Sequence, residues 1–170
     1  KVVILGGTGP VGVASAVISA KAGNNVLLVG RSLDKAESIA KICNEKYGSK
    51  SVEGAVDSDK ASFLIDADIV FNTGAAGIQL MDDELIKNAV NLKICADVNA
   101  VPPAWISGID AMDNVVAMKN SKSGCFGIGA LAIGNIKYKS QHDCLKLMYN
   151  CDKPVYLHFE HAFEFAQKNV

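Results

Sequence analysis

Short apolar runs alternate along the chain with longer stretches of helical periodicity, and this alternation predicts βαβ units. The first run, Val2–Leu5, reads as a strand. Helical character follows over residues 11–22 until Gly23-Asn24-Asn25 interrupts it. Residues 26–29 form a second strand. Ser32 or Asp34 then caps a helix that runs to Tyr47 before Gly48, with Ala36, Ile39, Ala40 and Cys43 at helical spacing. The pattern continues with a short strand near residues 51–55, a helix over 60–65, a strand over Ile69–Asn72, a helix near 83–89 and a strand over 93–96. Residues 115–118 carry a weaker strand signal. Residues 125–127 read as a loop or short strand, and the following helix extends to about Tyr149 before Pro154 breaks it. Residues 155–169 pattern as a last amphipathic helix, apolar enough to dock on the body or on another domain. The fold class expected is α/β: a Rossmann-type, doubly wound, mainly parallel sheet with helices on both faces.

Composition narrows the function classes. A chain of 170 residues with 49% hydrophobic and 21% charged positions can build one globular domain. A formal net charge of −1 gives no basic field for nucleic acid or an anionic membrane, so neither is expected as a partner. No apolar run approaches the roughly 20 residues a membrane span needs. No signal peptide precedes the first strand, and a cytoplasmic location is expected. The five cysteines (Cys43, Cys95, Cys125, Cys144 and Cys151) show no C-x-x-C pair and no zinc spacing, and read as reduced thiols. His158 and His161, with Glu160 and Glu164 nearby, read as a polar helix face rather than a metal site. No metal is expected.

The richest chemistry lies at the start. Gly7-Thr8-Gly9-Pro10-Val11-Gly12 follows the first strand directly and opens a helix, which is G-x-G-x-x-G in the context that a dinucleotide requires. Gly7 is expected to permit the tight turn, Gly9 the approach of a pyrophosphate, and Gly12 close packing of helix on strand, with helix N–H groups as anion donors. At the end of the second strand, where an NAD-binding unit places an acidic residue, stand Gly30-Arg31-Ser32 with Lys35 behind. Arg31 can pair with a 2′-phosphate, Ser32 can donate a hydrogen bond and Lys35 adds charge, so the cofactor expected is NADP. Three more segments should reach the carboxyl edge of the sheet: residues 73–77, small enough for backbone contact with a ligand; 97–103, stiffened by Pro102 and Pro103; and 127–135, with Lys137 and Lys139 just beyond.

The motifs GTGPVG, GRSLDKA, TGAAG, ADVNAVPP, GIDAMD and FGIGALAIGNIKYK, in this order, resemble the methylene-tetrahydromethanopterin/methylene-tetrahydrofolate dehydrogenases of methylotrophic bacteria over nearly the whole chain. The resemblance implies reversible hydride transfer between NADP and the one-carbon bridge of a tetrahydropterin, converting methylene to methenyl in one-carbon metabolism. Carried over to matching positions, it implies that Gly7, Thr8, Gly9, Pro10 and Val11 line the pyrophosphate. It likewise implies that Arg31, Ser32 and Lys35 hold the 2′-phosphate, while Thr73, Gly74, Ala75, Asn99 and Ala130 flank the ribose and nicotinamide. Lys137 is the candidate active-site lysine, with Lys139 the lesser choice. The family also carries a pterin-binding N-terminal domain ahead of the first strand, whereas this chain starts at Lys1, one residue before it. Residues 1–170 are therefore expected to be the NADP-binding domain with its C-terminal helices. That domain is either part of a longer enzyme, with the tetrahydropterin bound once a substrate domain is supplied, or a stand-alone, non-catalytic NADP(H)-binding or sensing module. The apolar last helix and the open cleft wall point to a homo-oligomer.

Other readings fit less well. Gly6-x-x-Gly9-x-x-Gly12 and Tyr149-x-x-x-Lys153 echo the short-chain dehydrogenases, but Pro154 disfavours helical geometry at Lys153, which that Tyr/Lys pair needs. Two-domain dehydrogenases of the shikimate or bifunctional folate type share the architecture but match the NAVPP and GIGALAIG segments less closely.

Overall fold

The computed structural model describes residues 1–102 and 104–170; Pro103, half of the expected proline pair, lies outside them. Seven strands form one sheet: β1 (Val2–Leu5), β2 (Val26–Gly30), β3 (Val52–Val56), β4 (Ile69–Asn72), β5 (Ile94–Asp97), β6 (Asn114–Ala117) and β7 (Phe126–Ile128). Their order is β3-β2-β1-β4-β5-β7-β6, and every pairing is parallel except β6 with β7. The chain winds outward from β1 in one direction and then, after β3, from β4 in the other. This is the doubly wound Rossmann arrangement that the βαβ pattern predicts.

Alternation along each strand decides which side chain meets which layer. On one face Val2, Ile4, Val26 and Leu28 pack under α1 (Pro10–Lys21) and α2 (Leu33–Tyr47), through Ala16, Val17, Ala36, Ala40 and Cys43. On the other, Val3, Leu5, Val29, Val70 and Cys95 pack under α3 (Lys60–Leu64) and α4 (Asp83–Asn88), through Leu64 and Ile86. Strands covered on both sides read as continuous apolar runs, which is why the sequence marks them so clearly. Ser32 is the N-cap of α2, its Oγ accepting from Lys35 N at 3.4 Å, and Gly48 closes that helix in the left-handed region at φ 72°. Asp82 caps α4, accepting from Leu85 N at 2.9 Å.

Beyond β7 the packing loosens. α5 (Ala130–Asn150) buries only Ser140, and α6 (Phe159–Gln167) folds back along it. α6 reaches the first layer through Phe159, whose ring centroid lies 5.4 Å from that of Tyr47, and through an ion pair between Glu160 and Lys21.

Two expectations are corrected, and the rejection of a Tyr149/Lys153 pair holds. The last helix begins four residues late, at Phe159 instead of 155. His158 takes the N-cap position, its Nδ1 accepting from Glu160 N at 3.3 Å while its own N–H donates to His161 Nδ1 at 3.2 Å. Pro154 and this cap leave Val155 and Leu157 outside the helix. The weak strand at 115–118 is β6, an antiparallel edge strand shifted by one residue. An irregularity between Asn114 and Val116 holds Val115 at φ 58°, an unusual conformation for a β-branched residue. Tyr149 and Lys153 share no helix, because α5 ends at Asn150 and Cys151 is extended.

Cys43, Cys95 and Cys125 are buried and Cys144 and Cys151 half-buried, all as free thiols. No helix among the described residues is long and apolar enough to cross a membrane. No group of His, Cys, Asp and Glu among them could hold a metal ion.

The layer over β3 is set by one small residue. A Cβ on Gly54 would lie 2.4 Å from Glu37 N in α2. Gly54→Ala should therefore destabilise the domain by about 1–3 kcal/mol through forced separation of helix and strand. An unchanged urea midpoint would show that this contact carries no constraint.

Candidate functional site

The winding reverses between β1 and β4, and the crevice at their carboxyl ends is where this fold receives ligands. Two turns meet there. After β1 the backbone turns at Gly6, at φ 66°, so the left-handed residue is Gly6 and not Gly7 as the motif suggests. A Cβ on Gly6 would lie 2.3 Å from Gly74 Cα, in the turn after β4. Thr73 locks this contact: its N–H and its Oγ1 both donate to Leu5 O, at 2.9 and 3.1 Å.

The other motif glycines have separate reasons. A Cβ on Gly7 would meet Ile4 O and Leu28 Cγ at 2.9 Å, and one on Gly12 would meet the Gly7 backbone at 2.3 Å. Gly12 thus brings α1 against the turn itself, rather than against the strand. Gly9 differs: nothing lies within 4 Å of the place its Cβ would take, so this face of the turn is open. Gly9 is also the N-cap of α1, with Pro10 in the first turn, no acidic side chain there and no side-chain cap among the described residues. The first-turn N–H groups of α1, beginning with that of the exposed Val11, keep their positive potential for an incoming anion.

The end of β2 adds more positive charge. Gly30 leaves room for Thr8, whose Cγ2 would be 2.7 Å from a Cβ there. Arg31, Ser32 and Lys35 follow on the exposed surface at the start of α2. The structure therefore places the glycine turn and this basic corner on adjacent strand ends, with helix N–H groups and basic side chains along one edge.

The remaining predicted residues lie toward β4, β5 and α5. Ala75 is exposed and Gly74 half-buried in the turn after β4; Ala130 is the first residue of α5. Asn99 sits in a tight turn of its own, with Nδ2 donating to Val101 O at 2.6 Å and Oδ1 accepting from Val101 N at 3.0 Å. Lys137 and Thr73 share the lining of a large apolar cleft of ≈ 1140 Å³, together with Val98, Asn114 and Phe159. Lys139, two residues on, lines an adjoining cavity of ≈ 490 Å³, which shares Asn114, Ala132, Ile136 and Val170 with the cleft.

Two buried polar residues were not singled out from the sequence. Asn72 and Asp97 are the last residues of β4 and β5 and stand opposite each other in register, 0% and 1% exposed. Asn72 Oδ1 accepts from Gly74 N at 3.2 Å, while its Nδ2 is buried without a hydrogen-bond partner among the described residues. Asp97 accepts from Asn99 N at 3.0 Å through Oδ1, and from Trp105 N and Ile106 N at 3.0 and 3.2 Å through Oδ2. Burial pushes the Asp97 carboxyl up, outweighing these backbone donors, which pull it down. The signal available was an Asn or Asp ending a strand, two residues before a Gly or Asn.

No protein-family model matches the chain. The NAD(P)-dependent methylenetetrahydromethanopterin dehydrogenase of Methylorubrum extorquens is 36% identical over 171 residues, covering 98% of this chain and 56% of that protein. The bifunctional protein MdtA of the same organism is 37% identical over 158 residues, 92% of this chain and 54% of that protein. The chain thus spans about half the length of the curated relatives it matches. Among solved structures, a transhydrogenase from Sinorhizobium meliloti superposes with a TM-score of 0.59 at 18% identity, covering 78% of this chain and 37% of that one, a likeness of fold.

The raised carboxyl of Asp97 has a defined pH signature. Folding takes up a proton between the ordinary value of 3.8 and the raised folded value, so this group's contribution to stability falls as pH rises through that window. Asp97→Asn should remove this component from the slope of unfolding free energy against pH. Identical slopes for the two proteins in urea titrations across the window would disprove the assignment.

Proposed function

We propose that this chain, which belongs to the methylenetetrahydromethanopterin dehydrogenase family across the half of those enzymes that it spans, is an NADP-binding oxidoreductase domain. In this reading it serves reversible hydride transfer with a methylene-tetrahydropterin. The observation that carries the reading is the anion-binding edge: an open glycine turn, an uncapped α1 N-terminus and Arg31 at the end of β2.

These residues fit the cofactor. Gly7, Thr8, Gly9, Pro10 and Val11 would border the pyrophosphate, where Gly9 leaves space and α1 offers N–H donors. Arg31 would pair with the 2′-phosphate, with Ser32 and Lys35 beside it; a carboxylate at that corner would repel the same group. Thr73, Gly74, Ala75, Asn99 and Ala130 would border the ribose and nicotinamide. NADP, when bound, supplies the hydride acceptor.

The protein's own task is then positioning. The product cation is delocalised over two nitrogens, and hydride transfer needs little acid–base help, so geometry and electrostatics carry the rate. Lys137, which lines the same apolar cleft as Thr73, is the residue we assign to orienting the pterin. The tetrahydropterin itself would meet this domain across that cleft wall, with the rest of its site supplied by further chain. A non-catalytic NADP-binding module is the alternative, and turnover decides between them.

Calorimetric titration with NADP+ and NAD+ tests the nucleotide reading. Arg31→Ala should weaken NADP+ by about 10- to 100-fold, the worth of a charged hydrogen-bonded pair, and leave NAD+ within about twofold. Equal losses would remove Arg31 from the 2′-phosphate. Hydride transfer from methylene-tetrahydromethanopterin or methylene-tetrahydrofolate, followed at 340 nm as is usual for reduced nicotinamide, tests the reaction; binding without turnover would favour the module.

A further inference from the structure

Asn72 and Asp97 each hold one of two adjacent loops of the crevice. They end neighbouring parallel strands in register, so their side chains leave the same face of the sheet one strand spacing apart. Each folds its own loop back by accepting the N–H two residues on: Gly74 N to Asn72, and Asn99 N to Asp97. Asp97 also reaches across its loop to accept from the N–H groups of Trp105 and Ile106, tying the end of β5 to the start of that later stretch. The two loops are cross-tied as well, since Val98 N donates to Asn72 O at 3.4 Å.

Such groups are costly to bury. The Asp97 carboxylate is taken out of water, and Asn72 leaves its Nδ2 donor unpaired among the described residues. An apolar residue would end these strands at less cost, as Leu5 shows on β1. What the polar pair gains is a fixed path for the loops that carry Thr73, Gly74, Ala75 and Asn99. These loops lie over β4 and β5, on the far side of the crevice from the basic corner at β2. A dinucleotide anchored by its adenosine phosphate at β2 and its pyrophosphate at α1 therefore extends its other half toward them.

We propose that Asn72 and Asp97 are positioning residues that shape the nicotinamide half of the nucleotide site without touching its adenosine half. The proposal rests on the NADP reading above. The test uses Asn72→Leu, Asn72→Ser and Asp97→Asn in the full chain, with two probes: NADP+, and 2′,5′-ADP, which carries the 2′-phosphate but no nicotinamide. Asn72→Leu and Asp97→Asn should each weaken NADP+ by about tenfold, one hydrogen-bonded turn's worth, while 2′,5′-ADP stays within about twofold. Asn72→Ser, which keeps a short acceptor, should recover part of the loss. In the free protein, hydrogen exchange should quicken at Gly74 in Asn72→Leu and at Asn99, Trp105 and Ile106 in Asp97→Asn. Equal weakening of both probes, or no weakening of NADP+, would overturn the proposal, and so would unchanged exchange at those amides. Wild-type protein that binds neither probe would overturn the nucleotide reading instead, while the exchange measurement would still judge whether this pair sets the loops.

Discussion

The contact of Gly6 with Gly74 is the constraint on which the crevice depends. The turn after β1 and the turn after β4 approach until a single methyl group on Gly6 would lie 2.3 Å from the opposing Cα. Both turns must then run close to the sheet, and Thr73 fixes them there by donating twice to Leu5 O. Gly12 repeats the device on the next layer, seating α1 on the Gly7 backbone. The carboxyl edge is assembled from backbone against backbone, with side chains absent where a ligand has to come close.

The same edge is electrostatically unfinished. α4 ends its exposed N–H groups on Asp82, and α2 uses Ser32, but α1 has neither a capping side chain among the described residues nor an acid in its first turn. Helix N-termini left in this state keep their partial positive charge, and here Arg31 and Lys35 stand on the neighbouring strand end. Toward β4 and β5 the logic inverts. There a buried carboxylate and a buried amide spend their acceptors on loop N–H groups, so the polar groups of that end hold the loops instead of facing the crevice as free charge. A ligand charged at one end and aromatic at the other matches this division.

The sheet was legible because its strands are covered on both faces and so appear as unbroken apolar runs between helical periods. The N-cap of α2 and the glycine behind it were legible because they answer local backbone needs. The start of α6 was not. Val155 and Leu157 keep the apolar pattern, yet His158 captures the cap through a hydrogen bond with His161, which composition does not announce. Lys137 and Lys139 sit two residues apart and look alike in sequence; the pitch of α5 turns one to the apolar cleft and the other to the smaller cavity adjoining it.

The sequence by itself determined the order of elements, the glycine turn and the basic corner after β2, because each rests on residues adjacent in the chain. Only the tertiary structure decided that Gly6 takes the left-handed conformation, that it must lack a side chain to lie against Gly74, and that Asn72 and Asp97 face each other. Those facts depend on the register of β1, β4 and β5, which brings together residues far apart in the chain at one strand spacing.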